Sequence, residues 1–204
     1  MAKGLFISLE GEDKAGKSTQ ARLLAETLDG HGIPVVLTRE PGGSPLGERL
    51  RGILLAAAAE SAWAEVLLYA ADRAEHVQRV IRPALAAGKV VVTDRYVDSS
   101  LAYQSYGLGL PLAEVAAVNR LATGGLKPDR TFLLRLDEEG LARRGLGSDG
   151  MEERGPGYRA LVRQGFWELA AAEPERFRVL DAGSSPQELA KQIWAEVRSL
   201  WEEG

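Results

Sequence analysis

The amino-acid sequence predicts an α/β fold built on a parallel sheet, and three observations carry that expectation. Five short apolar runs, Leu5 to Leu9, Val35 to Leu37, Val90 to Thr93, Thr131 to Leu136 and Phe177 to Leu180, recur at intervals of several tens of residues. The stretches between them show helical periodicity, notably Ser18 to Leu28, Leu46 to Ala57, Ala62 to Ala87 and Pro186 to Trp201. A segment with paired glycines follows the first run and opens the first of those helices. Each run is rich in Val, Ile, Leu or Phe and reads as a strand buried on both faces, as in a parallel sheet covered by helices. Alternating strand and helix imply right-handed crossovers. Such a sheet binds ligands beyond the carboxyl ends of its strands.

At 204 residues the chain is expected to form one domain, 1–204, with no internal repeat and no Pro- or Ser-rich linker to divide it. Hydrophobic residues at 45% and charged residues at 26% are ordinary for globular proteins, and no run approaches the ~18 apolar residues of a membrane span. The first residues enter a strand without the apolar segment of a signal peptide, so a cytoplasmic location is expected. Zero cysteines exclude disulfides and thiolate metal sites. Two histidines, His31 and His76, exclude a multi-histidine zinc site and read as structural or solvated, leaving oxygen as the expected metal donor. A net charge of −4 argues against a nucleic-acid partner, and no apolar stripe or charge block suggests a membrane or an adaptor role. The 19 arginines against 6 lysines suit bidentate phosphate recognition but fit thermal adaptation or GC-rich coding equally well.

The chemistry is carried by Gly11-Glu12-Asp13-Lys14-Ala15-Gly16-Lys17-Ser18, followed by Thr19, which matches G-x-x-x-x-G-K-[ST]. It stands after a strand and before a helix, the context a phosphate-binding loop requires. Gly11 and Gly16 permit backbone angles that turn several N–H groups onto one phosphate at the positive end of the helix. Lys17 can bridge β- and γ-phosphate oxygens, and the Ser18 hydroxyl can ligate Mg²⁺. The loop alone leaves kinase, GTPase and motor ATPase open. The absence of an Asn-Lys-x-Asp guanine motif weakens the GTPase reading. A second strand ends in Asp94-Arg95, giving a carboxylate able to hold Mg²⁺ beside a phosphate-gripping arginine. A third runs into Arg39-Glu40-Pro41-Gly42-Gly43, whose sharp turn holds Arg39 over the same crevice. Three strand ends with phosphate-compatible groups suggest two phosphate-bearing substrates facing each other.

These segments, with Tyr69-Ala-Ala-Asp-Arg73-Ala-Glu-His, Asp94-Arg95-Tyr-Val-Asp-Ser-Ser-Leu-Ala-Tyr103-Gln104 and Val179-Leu-Asp-Ala, together resemble the bacterial thymidylate kinases over essentially the whole chain. The resemblance implies a three-layer P-loop NTPase fold with five parallel strands and a short lid, a homodimer, Mg²⁺, and transfer of the ATP γ-phosphoryl group to dTMP. It implies that Gly11 to Thr19 and Arg143 bind ATP, and that Ser18 and Asp94 hold the metal. By the same resemblance Asp13 bonds the sugar 3′-hydroxyl and Arg39 and Arg95 align the acceptor phosphate. Tyr69 takes the position of a Phe that stacks on thymine, Arg73 reaches a base carbonyl, and Ser100 and Gln104 complete the polar edge. Tyr103 lies where a ribose 2′-hydroxyl would be and favours deoxyribose by crowding. Arg51 is either a further acceptor-site contact or a solvated arginine. No general base is needed, since the attacking phosphate oxygen is already anionic.

The chain departs from that pattern in the expected lid, about residues 141–157, where glycine and charge suggest a covering loop rather than helix. Asp149-Gly150-Met151-Glu152 carries glycine where the family commonly has arginine, and the loop carries Lys14 where one subtype has arginine. Charge on the transferring group is then expected to come in part from Lys14, helped by Arg143, Arg144 or Arg154, the alternative being a slower enzyme. Two rival readings remain, a kinase for another monophosphate and a nucleotide-binding regulator that has lost transfer.

Overall fold

The structure, a computed structural model, describes residues 4–56, 61–136, 140 and 154–203. The five apolar runs form β1 (Leu5–Glu10), β2 (Val35–Arg39), β3 (Val90–Asp94), β4 (Arg130–Arg135) and β5 (Phe177–Asp181). All pairings are parallel, in the order β2-β3-β1-β4-β5. Burial on both faces holds for β1, β3 and most of β4 but not for the two edges, where Leu37 on β2 is 46% exposed and Val179 on β5 is 40% exposed. An edge strand has one neighbour and lies where the covering helices run out, so alternate side chains meet solvent.

The helices are α1 (Lys17–Gly30), α2 (Pro45–Leu55), α3 (Ala62–His76), α4 (Arg82–Ala86), α5 (Val97–Ser100), α6 (Leu112–Thr123), α7 (Gly155–Ala172) and α8 (Pro186–Glu203). A π-helical turn, Val77–Ile81, joins α3 to α4, so the periodic stretch from Ala62 runs on almost without a break. A second, Leu101–Gly107, extends α5. Ser44 caps α2 by accepting from the Gly47 N–H, with Pro45 in the first turn. The helices α6 and α7 escape the periodicity reading. In α7 the reason is glycine: Gly155 to Gly157 were expected in a loop, yet they form the first turn, where Gly155 has φ +86 and Pro156 suits the helix start. The rest of the expected lid, including Arg143, Arg144, Asp149 and Gly150, lies outside the described residues.

Strand alternation sends Leu5, Ile7 and Leu9 to one face, where they pack with Leu24 and Leu28 of α1 and Ile193 and Val197 of α8. Trp194 and Trp201, seven residues apart on one face of α8, lean on the same cluster, which makes them core packing. Phe6 and Val91 point the other way, against Val77, Ile81 and Tyr96, while Leu133 meets Val162 and Phe166 of α7. This makes three layers. Side chains fully buried in it, such as Ile7 and Leu28, contribute about 1.5–3 kcal/mol each. Register then brings Arg39, Asp94 and Leu9 side by side, so the carboxyl ends of β2, β3 and β1 open onto one crevice.

Candidate active site

The crevice is a cleft of about 880 Å³. Its lining includes Asp13, Lys14, Gly16, Lys17, Ser18, Thr19, Arg39, Tyr69, Arg73, Asp94, Arg95, Ser100, Tyr103 and Gln104. The expected site residues that do not line it are Gly11, Glu12 and Ala15, with Arg143 outside the described residues. Gly11 is held so close to β4 that an added Cβ would sit 2.4 Å from the Leu134 carbonyl oxygen. Ala15 turns inward against Leu134, Leu136 and Ala182, so it contributes packing and backbone.

At the loop end, Gly16 at φ 100 lies immediately before α1, and Lys17 is buried with its Nζ donating to the Glu12 carbonyl at 2.7 Å. Burial, with help from nearby Arg95, pulls the Lys17 ammonium down to about 8. The Ser18 hydroxyl donates to Asp94 Oδ2 at 2.5 Å. Asp94 Oδ1 is buried and has no partner among the described residues. A hydroxyl and an unfilled carboxylate oxygen at the helix start fit a hard cation that takes its remaining oxygens from water and phosphate.

Arg95, itself at φ +72, joins the two ends of the cleft. It pairs with Asp13, donates to the Gly11 carbonyl at 3.1 Å and Ser99 Oγ at 3.0 Å, and lies 5.0 Å from the Tyr103 ring centre. Burial pushes the Asp13 carboxyl up, but Arg95 and Lys17 outweigh it and hold the group below its ordinary value. Behind them Glu10, at the tip of β1, accepts from the Tyr96 N–H at 2.7 Å and from Ser99 Oγ at 2.5 Å. Burial, then the neighbouring Asp98 carboxylate, raises Glu10 to about 7.

The far end is organised by Glu40, which follows Arg39 out of β2. Its carboxylate accepts from Arg73 Nε at 2.7 Å and from His76 Nδ1 at 2.9 Å, all three side chains being buried. His76 Nε2 meets Thr38 Oγ1 at 2.6 Å, so this histidine is a strut and His31 is exposed. Arg73 also donates to Ser100 Oγ at 2.9 Å, to Asn119 and to the Tyr96 carbonyl at 3.2 Å. Arg39 is half exposed and paired with Glu48 at 3.2 Å. The open question of Arg51 resolves towards the cleft: it lines the wall and donates to the Pro41 carbonyl at 2.8 Å. Tyr69 lines the cleft, and no described residue bonds its hydroxyl.

Two cations behave differently from expectation. Arg154 pairs with Glu65 of α3 at 2.6 Å and stacks over Tyr158, at the Tyr69 and Gln104 end rather than the loop. Besides Arg95, a guanidinium that reaches the loop is Arg163 of α7, which donates to the Glu12 carboxylate at 3.1 and 3.3 Å. Sequence reasoning missed Arg163 because it lies 151 residues from its partner in a helix whose first turn reads as loop. It missed Glu10, Glu40 and Glu65 because single buried acids carry no local signature.

Comparison with known proteins decides what this arrangement belongs to. A family model described as thymidylate kinase matches residues 9–193. The chain belongs to the thymidylate kinase family. Curated relatives named thymidylate kinase include one from Synechococcus sp. (strain JA-3-3Ab), 53% identical over 195 residues covering 95% of each chain. Another, from Symbiobacterium thermophilum, is 51% identical over 193 residues, covering 93% of this chain and 90% of its own. The crystal structure of thymidylate kinase from Ehrlichia chaffeensis superposes with a TM-score of 0.81 at 32% identity, covering 96% of this chain and 99% of that one. No helix among the described residues is long and apolar enough to cross a membrane.

Proposed function

We propose that this thymidylate kinase family member transfers the γ-phosphoryl group of ATP to dTMP, giving ADP and dTDP. The observation that carries the reading is the Arg95–Asp13 pair, which ties the phosphate loop to the wall formed by Tyr103 and Ser99 within one cleft. An oxygen of the dTMP phosphate attacks the γ-phosphorus as the bond to the β–γ bridging oxygen breaks, and that oxygen leaves on ADP. Lys17 and the N–H groups of the loop meet the ATP phosphates, while Arg95 and Arg39 draw the acceptor phosphate in line and remove its repulsion. Ser18 and Asp94 hold Mg²⁺, which neutralises phosphate charge when bound. Asp13 accepts from the 3′-hydroxyl, Tyr103 crowds the 2′ position, Tyr69 stacks on the base, and Arg73, Ser100 and Gln104 meet its polar edge.

Lys14 and Arg163 supply charge beside the transferring group, Arg163 exchanging part of its contact with Glu12 for phosphate. Residues of about 141–157, those before Arg154 lying outside the described residues, act as the lid, with Arg143 on ATP. The chain works as one domain in a cytoplasmic homodimer, a pairing supported by exposed Leu46, Ile53 and Leu67 on adjacent α2 and α3.

ADP release coupled to a reporter, with Mg-ATP and each nucleoside monophosphate in turn, tests the reading. Turnover with dTMP far above that with dCMP, dGMP, AMP or the ribose analogue is expected. Binding of ATP and dTMP without turnover means a regulator.

A further inference from the structure

Gln104 is 1% exposed and lines the cleft, yet an amide has two chemically opposite ends, and which end faces the base decides what it reads. Its Nε2 donates to Glu65 Oε1 at 2.9 Å. The assignment of N and O is chemical: a carboxylate paired with a guanidinium only accepts, so the amide end beside it must be the NH₂. Glu65 is 5% exposed and is fixed from its other side by Arg154, whose Nη2 lies 2.6 Å from Oε2. Among the described residues, no hydrogen bond reaches Gln104 Oε1.

We infer that Glu65 is a specificity-determining positioning residue, which fixes the amide of Gln104 with its oxygen towards the base and so selects pyrimidines that donate from N3. This rests on the proposed dTMP site. With Arg73 donating and Gln104 accepting, the wall complements a base with a carbonyl at C4 and a proton on N3. A 4-amino pyrimidine presents the opposite pattern at both atoms, and Glu65 forbids the amide flip that would accommodate it, because flipping sets the Gln104 oxygen against a buried carboxylate. Arg154, one residue before α7, holds the orienting acid, so the start of this helix is coupled to base selection and Glu65 does not touch substrate itself.

The test compares kcat/KM for dTMP and for 5-methyl-dCMP, which keep the ring and methyl group but invert the donor and acceptor at C4 and N3. Glu65→Gln gives Gln104 a partner that can donate or accept and is expected to lower the dTMP preference about tenfold or more, with KM for ATP unchanged. In a Gln104→Met background the same substitution is expected to leave the remaining preference unchanged, which a general loosening of α3 would not do. Glu65→Asp, which keeps the charge opposite Arg154 but draws back from Gln104, serves if the amide variant does not fold. An undiminished preference in Glu65→Gln, or in Glu65→Asp where only that variant folds, overturns the inference, as does an equal change with and without Gln104. Failure of the unsubstituted enzyme to turn over dTMP instead overturns the dTMP site on which the inference rests.

Discussion

The two ends of the cleft are built in different ways. At the loop end the lining comes from one short stretch, Asp13 to Thr19 without Ala15, and the tip of β3, so its shape is set by local backbone geometry and the start of α1. At the other end Glu65, Arg73 and His76 of α3 meet Glu40 after β2, Ser100 of α5, Gln104 of the π-helical turn that follows it and Asn119 of α6, and almost every contact is a buried charge-assisted bond between residues 27 to 46 apart. Phosphates are alike in all nucleotides, so a local device serves for them. A base edge is particular, and reading it takes donors and acceptors locked in place by partners that are themselves locked.

The contrast can be broken most sharply at Lys17. Lys17→Ala is expected to lower kcat about 10³-fold while leaving the unfolding midpoint close to the parent, since that charge is buried for phosphate. Steady-state ADP release and a urea titration measure the two. At the far end the order reverses: Glu40→Gln strands the Arg73 guanidinium in a dry site and is expected to cost about 3 kcal/mol of stability by urea unfolding.

Glu10 sharpens the comparison through pH. Its folded value of about 7 lies above the ordinary 4.5, so the folded state binds the proton more tightly. The stability this supplies is complete below about 4.5 and is lost as pH rises through about 7. Unfolding midpoints at pH 5 and pH 8 are therefore expected to lie closer together in Glu10→Gln than in the parent, by an amount on the order of 1–3 kcal/mol. Tyr69→Phe is the mildest change: with no described partner on the hydroxyl, KM for dTMP is expected to move less than about twofold.

The same contrast explains what could be read from the residues alone. The five strands, their parallel sheet and the whole phosphate loop are legible because each is written in consecutive residues: a buried run, a glycine at a fixed spacing, a lysine before a serine. Arg51 stayed open because an arginine on a helix looks the same whether it faces water or, as here, the Pro41 carbonyl. Exposure of Leu37 and Val179 was not legible, since strand order decides which strands are edges. The α7 helix was hidden by Gly155 and Gly157, and with it the Arg163 contact to Glu12 and the Arg154 contact to Glu65, which join residues 151 and 89 apart.

The tryptophans have a practical consequence. None of Trp63, Trp167, Trp194 and Trp201 lines the cleft; Trp194 and Trp201 lean on the α1–α8 layer, and Trp167 stacks with Arg135. Trp63 and Trp167 stand on α3 and α7, in the opposite layer, so indole emission reports on both layers of the scaffold rather than on the cleft lining. During urea titration, emission and catalytic turnover form two clocks, one in the packed layers and one at the carboxyl ends of the strands, and any interval between them measures how far the cleft loosens before the scaffold gives way.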